Sequence, residues 1–179
     1  MKHVKILDKE FKLYIPYEKI RSVIENMANE MNRQLAGKNP LFICILNGSF
    51  MFATELFKRI NLIDAEITFV KLSSYEGIKT TGNIKQLIGL NTNIEGRTVV
   101  VLEDIVDTGT TISYIVEQLQ SKRPNEIILA ILFFKRNNLV KNVQLNYAGM
   151  EITDDFIVGF GLDYNNYGRN LIDIYSAIN

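Results

Sequence analysis

The sequence predicts an α/β fold built around a mainly parallel sheet with helices on both faces. Short runs that are entirely apolar, such as LFICIL at residues 41–46 and EIILAILFF at residues 126–134, are typical of strands buried on both faces. Two of these runs lead through a short loop into an amphipathic helical pattern, so strands and helices alternate. No internal repeat, low-complexity tract or linker divides the 179 residues, and we expect one domain over 1–179.

The first half of the chain supplies two helices and two or three strands. After Pro16, apolar residues recur at helical spacing until Gly37, which predicts an amphipathic helix; they are Ile20, Val23, Ile24, Met27, Met31 and Leu35. The strand LFICIL is followed by Asn47-Gly48-Ser49 and a second helical pattern over 53–60. AEITFVKL, residues 65–72, predicts another strand. SSYEGIKTTGN, residues 73–83, has no periodicity and predicts a long loop, after which KQLIGL resumes as a strand.

The second half repeats the strand-to-helix order. TVVVL, residues 98–102, predicts a strand, and the helical spacing of apolar residues over 112–119 predicts the helix after it. EIILAILFF then lies inside the sheet. DFIVGFGL, residues 155–162, and NLIDIYSAI, residues 170–178, are the last predicted strands.

Composition excludes several classes of function. Lys plus Arg and Asp plus Glu number 20 each, so no overall positive field recruits nucleic acid or an anionic membrane. The charged start MKHVKILDKEFKL lacks the apolar core of a signal peptide, and we expect a soluble, cytoplasmic protein. His3 is the only histidine, which argues against a Ser-His pair and a zinc site. Cys44 is the only cysteine, and its place inside LFICIL predicts a buried strand residue.

The motif that carries chemistry is VVVLEDIVDTGTT, residues 99–111. Ligands of parallel sheets bind at the carboxyl ends of the strands, where Glu103 and Asp104 are expected to lie. The following loop leads into a helix, so its backbone N–H groups, the helix dipole and its hydroxyls can surround a phosphate. That loop consists of Asp107, Thr108, Gly109, Thr110 and Thr111. Taken alone, Asp-Thr-Gly-Thr is more often a helix cap, but the complete ordered string is specific.

The two adjacent acids indicate what else the ligand carries. Carboxylates accept hydrogen bonds from sugar hydroxyls and can bind Mg²⁺, so Glu103 and Asp104 beside a phosphate loop suggest a phosphorylated ribose. Asp107, at the mouth of the loop, could exchange a proton with a group that arrives over the sugar.

At this point the sequence resembles the type I phosphoribosyltransferases and, more narrowly, their hypoxanthine-guanine branch, over roughly residues 10–176. VVVLEDIVDTGTT resembles the family's binding signature for phosphoribosyl pyrophosphate. The resemblance implies the family's fold, in which the terminal segments form a small hood, and usually a homodimer or homotetramer. It implies small-molecule substrates, a 6-oxopurine and phosphoribosyl pyrophosphate, and Mg²⁺ as cofactor.

Further residues match the family in order along the chain. Leu46-Asn47-Gly48 resembles the pyrophosphate loop, which commonly reads Leu-Lys-Gly and carries a non-proline cis peptide, and Arg169 resembles the pyrophosphate arginine. Ser74-Tyr75 resembles the pair on the lid loop. Lys135 matches the lysine for the 6-oxo group of the purine. Phe156 matches the aromatic that stacks on the base, Ile157 the residue with backbone contacts to it, and Asp163 the acid at the second metal position.

The implied chemistry is purine salvage: the ring nitrogen of a 6-oxopurine displaces pyrophosphate from the ribose, with hypoxanthine and guanine as the expected bases and xanthine as a further candidate. Asp107 is the implied base, and Glu103, Asp104 and Asp163 are the implied metal-site acids. Two positions depart from the family pattern. Asn47 replaces the frequent lysine, which removes a charge beside the leaving group, and Thr110 stands where some relatives have lysine but still offers a hydroxyl.

Two other functions stay open at the level of sequence. A phosphoribosyltransferase-like regulator would sense a nucleotide in the same pocket and bind RNA through a local basic face, with a salt-dependent affinity and no turnover. A receiver or haloacid-dehalogenase-type domain would use Asp104 or Asp107 as phosphoacceptor and would be labelled by acetyl phosphate. The second alternative leaves the matches from Phe156 to Arg169 unexplained.

Overall fold

A computed structural model describes residues 3–75, 84–138 and 144–178, the side chains of residues 73–75 and 84–88 excepted. Its strands, in chain order, are β1 His3–Ile6, β2 Lys9–Ile15, β3 Leu41–Leu46, β4 Glu66–Tyr75, β5 Ile84–Ile88, β6 Thr98–Val106, β7 Glu126–Phe134, β8 Tyr147–Glu151, β9 Ile157–Val158 and β10 Ile174–Ala177. Its helices are α1 Tyr17–Gln34, α2 Phe50–Phe57 and α3 Thr110–Gln120, and a 3-10 turn spans Arg136–Asn138.

The central sheet has the strand order β5-β4-β3-β6-β7-β8. The five strands from β4 to β8 in that order run parallel, and only the edge strand β5 is antiparallel. The apolar runs that predict buried strands form the middle of this sheet, with every residue of β3 except the last buried. The predicted α/β fold with a mainly parallel sheet is confirmed.

Helices cover both faces of the sheet, as predicted. One apolar core contains α1 and α2 against the sheet, with Ile20, Phe42 and Phe52 fully buried. The core on the opposite face contains α3, whose Ile115 and Leu119 are fully buried. None of the helices in the described part of the chain is long and apolar enough to cross a bilayer.

The terminal segments form a second, four-stranded sheet of order β1-β2-β10-β9, which is the predicted hood. Its small core contains Phe11, Val158 and Tyr175. DFIVGFGL and NLIDIYSAI each predict a strand, but only the short β9 and β10 within them are extended, and they belong to the hood. The glycines Gly159, Gly161 and Gly168 have φ angles between 88° and 108°, which interrupt extended backbone in this region.

Asp173 joins the hood to the main body of the protein. Its buried carboxylate accepts a hydrogen bond of 2.8 Å from the backbone N–H of Tyr17, the first residue of α1. The residue before the helix, Pro16, supplies no side-chain cap. Asp173 therefore caps α1 from a distant part of the chain and ties the start of β10 in the hood to this helix.

Candidate active site

The predicted phosphate loop lies between β6 and α3. Gly109 has φ 81° and ψ −6°, a left-handed conformation that glycine adopts without steric cost, and its carbonyl accepts the first helical bond from Ser113 N at 3.0 Å. The hydroxyl of Thr108 lies 3.1 Å from that of Thr110. A cavity of about 140 Å³ lies here, lined by the loop residues Asp107, Thr108, Gly109 and Thr111. The loop combines a helix N-terminus, threonine hydroxyls and an open concavity, which suits a phosphate.

Glu103 and Asp104 lie near the carboxyl end of β6, and their side chains meet different parts of the site. Glu103 lines the cavity beside the phosphate loop. The Asp104 side chain instead lies against Gly48. Ser49 lies between the two acids: its Oγ accepts from the backbone N–H of Asp104 at 3.0 Å, and its side chain is hydrogen-bonded to the Glu103 carboxyl. Side chains alternate along a strand, so a pair of adjacent acids serves two neighbouring subsites.

Both carboxyls hold their protons more tightly than ordinary acids do. Burial, and then the neighbouring Asp104 carboxylate, raise the pKa of Glu103 well above its usual range. Burial also raises the pKa of Asp104 to about 6, although backbone hydrogen bonds and Arg169 oppose the rise. Glu103 Oε2 is buried and has no hydrogen-bond partner among the described residues. Such a pair favours a bound cation or a ligand rich in hydroxyl groups.

The predicted pyrophosphate loop follows β3, and its Leu46–Asn47 peptide is cis, as the family resemblance implies. A Cβ atom on Gly48 would lie 1.6 Å from Asp104 Oδ2, and a Cβ atom on Gly161 would lie 2.0 Å from the carbonyl oxygen of Gly48. The backbones of Gly48 and Gly161 and the side chain of Asp104 therefore meet here at distances that only glycine permits.

Arg169 and Asp163 lie on the other side of Gly161. The guanidinium of Arg169 pairs with Asp163 Oδ1 at 2.6 Å and donates to the carbonyl oxygen of Gly161 at 2.8 Å. The second Asp163 oxygen accepts a hydrogen bond from Asn166 N at 2.6 Å. Since Gly161 contacts Gly48, the arginine and the acid flank the pyrophosphate loop, and Arg169 also lies close enough to lower the pKa of Asp104.

A cluster of four polar residues lies at the mouth of the phosphate loop. Lys135 Nζ is 3.6 Å from Asp107 Oδ2 and 3.8 Å from Asp154 Oδ1, and it donates to the carbonyl oxygen of Asp154 at 3.2 Å. Asn138 Nδ2 donates to Asp107 Oδ1 at 2.7 Å and to Asp154 Oδ1. A carboxylate and an ammonium group are thus presented side by side toward the opening of the site.

The aromatic predicted to stack on the base is two residues beyond Asp154. Phe156 is 47% exposed, and its ring centre lies 5.8 Å from that of Tyr164 and 6.4 Å from that of Phe11. Ile157 is buried in β9, opposite Ser176 of β10. Lys9 Nζ also lies over the Phe156 ring, 5.7 Å from its centre, so hood residues surround the ring while about half of the residue stays exposed to a planar ligand.

The predicted lid is described only where it begins. Ser74 and Tyr75 are the last residues of β4, where they pair with Lys85 and Ile84 of β5. Their side chains and residues 76–83 lie outside the described part of the protein.

Two alternatives for nucleophilic chemistry lose support from burial. Cys44 is fully buried, and burial, followed by Glu103 and Asp104, raises the pKa of its thiol to about 12, so it is a core residue as predicted. Asp104 is 6% exposed and packed against the pyrophosphate loop, an environment that does not suit a phosphoacceptor.

Three residues of the site were not predicted from the sequence. Asn138, Asp154 and Gly161 act through contacts with residues distant along the chain. Of these, only Gly161 had a local sign, since it stands with Gly159 in the Gly-Phe-Gly of a predicted strand, where glycine marks a bend or a close backbone approach.

Comparison with known proteins agrees with this geometry. The family described as "Phosphoribosyl transferase domain" matches residues 16–165. The chain belongs to this family. A hypoxanthine-guanine phosphoribosyltransferase of Streptococcus thermophilus is 36% identical over 168 residues, which cover 93% of each chain. One of Streptococcus agalactiae is 40% identical over 148 residues, which cover 82% of each.

Solved structures of the same kind share the fold. A hypoxanthine phosphoribosyltransferase of Staphylococcus aureus superposes with a TM-score of 0.85 at 35% identity, covering 93% of this chain and 91% of that one. A hypoxanthine-guanine phosphoribosyltransferase of Bacillus anthracis gives a TM-score of 0.84 at 31% identity, covering 94% and 97%.

Proposed function

We propose that this protein is a purine salvage enzyme that transfers the 5-phosphoribosyl group of phosphoribosyl pyrophosphate to a 6-oxopurine. One observation carries the proposal: the Lys135 ammonium and the Asp107 carboxylate lie 3.6 Å apart at the mouth of the phosphate loop. A 6-oxopurine presents its carbonyl oxygen and its N7 side by side on one edge. A donor next to a proton acceptor is complementary to that edge.

The remaining residues fit the other parts of the two substrates. The 5′-phosphate binds in the cavity at 107–111, and Glu103 faces the ribose hydroxyls from the same cavity. Pyrophosphate binds along Leu46–Gly48, with Arg169 beside it. The base stacks on Phe156, and backbone groups near Ile157 contact its far edge.

The reaction in this site balances without a further reactant. The bond from the ribose C1 to the pyrophosphate oxygen breaks, and its electron pair leaves with pyrophosphate. The purine N9 forms the new bond to C1. As N9 loses electron density, the N7 proton passes to Asp107, the base placed at that edge. Positioned proton transfer of this kind contributes about 10²-fold or more to the rate.

Mg²⁺ fits the donor set of this site. Glu103, Asp104 and Asp163 offer carboxylate oxygens, the ligands that Mg²⁺ prefers, and the orphaned Glu103 Oε2 is an unused acceptor. No group of three or more candidate ligands is clustered within the described residues, which suits an ion that binds by one or two carboxylates together with substrate phosphates. When bound, the ion neutralises the leaving pyrophosphate.

Lys135 also accounts for the choice of base. Adenine carries an amino donor at position 6, and an ammonium group has no acceptor to meet it. A site that leaves its buried polar groups unpaired rejects the wrong ligand by on the order of 10⁴-fold. We therefore expect turnover of 6-oxopurines, namely hypoxanthine, guanine and xanthine, but not of adenine.

The other expectations from sequence belong to the same proposal. The chain acts as one phosphoribosyltransferase domain over residues 1–179, in the cytoplasm, as a homodimer or homotetramer, and without nucleic acid or membrane partners. The net charge of zero supports the absence of a polyanionic partner. Light scattering coupled to size exclusion tests the assembly.

The test of the proposed function is an absorbance assay with Mg²⁺, phosphoribosyl pyrophosphate and one base at a time. Hypoxanthine, guanine and xanthine are compared with adenine, uracil and orotate. Turnover restricted to 6-oxopurines is expected. Turnover of a pyrimidine contradicts the purine assignment, and the absence of any turnover, in folded protein that binds phosphoribosyl pyrophosphate, favours the regulator instead.

A further inference from the structure

The 3-10 turn after β7 contributes a residue that the proposed reaction does not use. Asn138 ends this turn, and its backbone N–H donates to the carbonyl oxygen of Lys135 at 3.1 Å. Lys135 is in turn fixed to the end of β6, since its N–H donates to the carbonyl oxygen of Val106 at 3.0 Å. The half-buried Asn138 side chain is therefore held at the end of two paired strands of the central sheet.

The amide group of Asn138 joins two carboxylates. Its nitrogen donates to Asp107 Oδ1 at 2.7 Å and to Asp154 Oδ1. Both carboxylates are largely exposed, with 51% and 71% of their side-chain surface accessible. An exposed carboxylate normally samples several rotamers, so a donor held in place by the turn restricts each of two side chains that the backbone alone leaves free.

Lys135 also contacts both of these carboxylates, Asp107 and Asp154. It approaches Asp107 through Oδ2, whereas Asn138 binds Oδ1. When Lys135 turns to the carbonyl oxygen of a purine, Asp107 loses its partner on Oδ2, and that oxygen becomes the one that faces N7. Asn138 still holds Oδ1 at that moment. Being neutral, the amide does this without bringing a second cation beside the base.

We propose that Asn138 is a positioning residue for the phosphoribosyl transfer: it fixes Asp107 through Oδ1 so that Oδ2 meets the purine proton. This inference rests on the proposed function, in which Asp107 is the base. The contact partner Asp154 anchors the same amide, which keeps the turn and the 154–157 segment in register around the purine subsite.

The first test compares Asn138→Leu, which keeps the size of the side chain and removes its donors, with Asn137→Leu in the same exposed turn. We expect Asn138→Leu to lower kcat about 10-fold, as coupled residues in one hydrogen-bonded network do. The KM for phosphoribosyl pyrophosphate should stay unchanged, and Asn137→Leu should match the parent protein. Asn138→Ala serves in the same way if the leucine variant does not fold. A parent-like kcat in either folded variant, or an equal loss for Asn137→Leu, overturns the proposal.

A second readout isolates the proton step. 8-Azahypoxanthine is more acidic than hypoxanthine and needs less help from a base. The kcat loss of the Asn138 variant should therefore shrink with this substrate. A loss of the same size with both bases means that Asn138 acts on something other than proton transfer, which contradicts the inference.

A double-mutant cycle separates this inference from the proposed function. If Asp107→Asn alone lowers kcat by about 10²-fold or more, Asp107 is the base. Adding Asn138→Leu should then cost nothing further, because the residue acts only through Asp107. If the kcat losses of the two single variants multiply in the double variant, Asn138 does not act through Asp107, and the role of Asp107 as the base is unaffected. A near-normal kcat for Asp107→Asn instead shows that Asp107 is not the base, which contradicts both that part of the proposed function and the role inferred for Asn138.

Discussion

Gly48 packs so closely against Asp104 that a Cβ atom on Gly48 would lie 1.6 Å from Asp104 Oδ2. The contact sets the pyrophosphate loop directly against the buried carboxylate of β6. Asp104 cannot easily retreat, because its Oδ1 accepts a hydrogen bond of 2.9 Å from Ile105 N and its own N–H is bound to Ser49. The pyrophosphate loop at Gly48 and the Asp104 carboxylate therefore cannot move independently of each other.

Gly48→Ala should disrupt the packing of the pyrophosphate loop against Asp104. The added methyl group displaces the loop or the carboxylate, and a misplacement of about 1 Å can cost on the order of 10²-fold in rate. We expect kcat/KM for phosphoribosyl pyrophosphate to fall by that order. Gly96→Ala is the matched control: nothing lies within 4 Å of its Cβ position, and its φ of 70° costs the variant roughly 1 kcal/mol of stability. Parent-like kcat/KM in Gly48→Ala would show that the close contact is not needed.

Asp104 should make the stability of the ligand-free protein depend on pH. Its pKa of about 6 in the folded state exceeds the ordinary value of 3.8, so the folded protein keeps a proton that the unfolded chain releases. The free energy of unfolding contributed by this group is therefore lost as the pH rises from about 4 to about 6. Asp104→Asn does not titrate and escapes this loss.

The measurement is the difference in Tm between Asp104→Asn and the parent protein across this pH range, without Mg²⁺ or substrate. The Tm of the variant relative to that of the parent should increase as the pH rises from about 4 to about 6, and the difference should stay constant at higher pH. Taking the difference cancels the titration of most other groups. A difference that is flat with pH is incompatible with the raised pKa.

Asp173→Ala should weaken the attachment of the hood. It removes the acceptor for Tyr17 N, and loss of a helix cap costs about 1 kcal/mol. For a chain of 179 residues that corresponds to a fall in Tm of roughly 2–4 °C. Asp173→Asn keeps a carbonyl oxygen at the same place and should lose less. Equal Tm values for the alanine variant and the parent would mean that the cap does not hold the hood.

Asn47→Lys should strengthen the binding of pyrophosphate. The exposed Asn47 follows the cis peptide, where a lysine would add a charged hydrogen bond to the leaving group. Hydrogen bonds to charged groups contribute about 1.5–3 kcal/mol, so the product-inhibition constant of pyrophosphate should fall at least about 10-fold. Asn47→Met has a similar reach and no charge and is the control. Equal pyrophosphate binding by both variants would contradict the placement of Asn47 beside the leaving group.

The central sheet and the phosphate loop were accessible from sequence because each has a local pattern. LFICIL and EIILAILFF are apolar throughout since their strands are buried on both faces, and the string from Glu103 to Thr111 is contiguous. The β1–β2 hairpin and β8 were not predicted. In β2, KEFKLYI exposes three of its first four residues to solvent, and β8 contains a glycine and has exposed positions.

Other contacts in the site leave no local pattern in the sequence. Gly48 and Gly161 touch across 113 positions of sequence, and nothing near either residue indicates its partner. Asn138 meets Asp107 only because β6 and β7 are neighbours in the sheet. An asparagine in a loop is ordinary until the fold brings a carboxylate within 2.7 Å of it.

The most direct test of the central claim is the ratio of kcat/KM for hypoxanthine to kcat/KM for adenine, in the parent protein and in Lys135→Gln. The parent ratio should be on the order of 10⁴, because Lys135 can donate to a carbonyl oxygen but cannot pair with an amino group. In Lys135→Gln the ratio should collapse, since an amide can both donate and accept, while the exposed-surface control Lys122→Gln keeps it. An unchanged ratio in Lys135→Gln would contradict the assignment of Lys135, beside Asp107, as the residue that selects a 6-oxopurine.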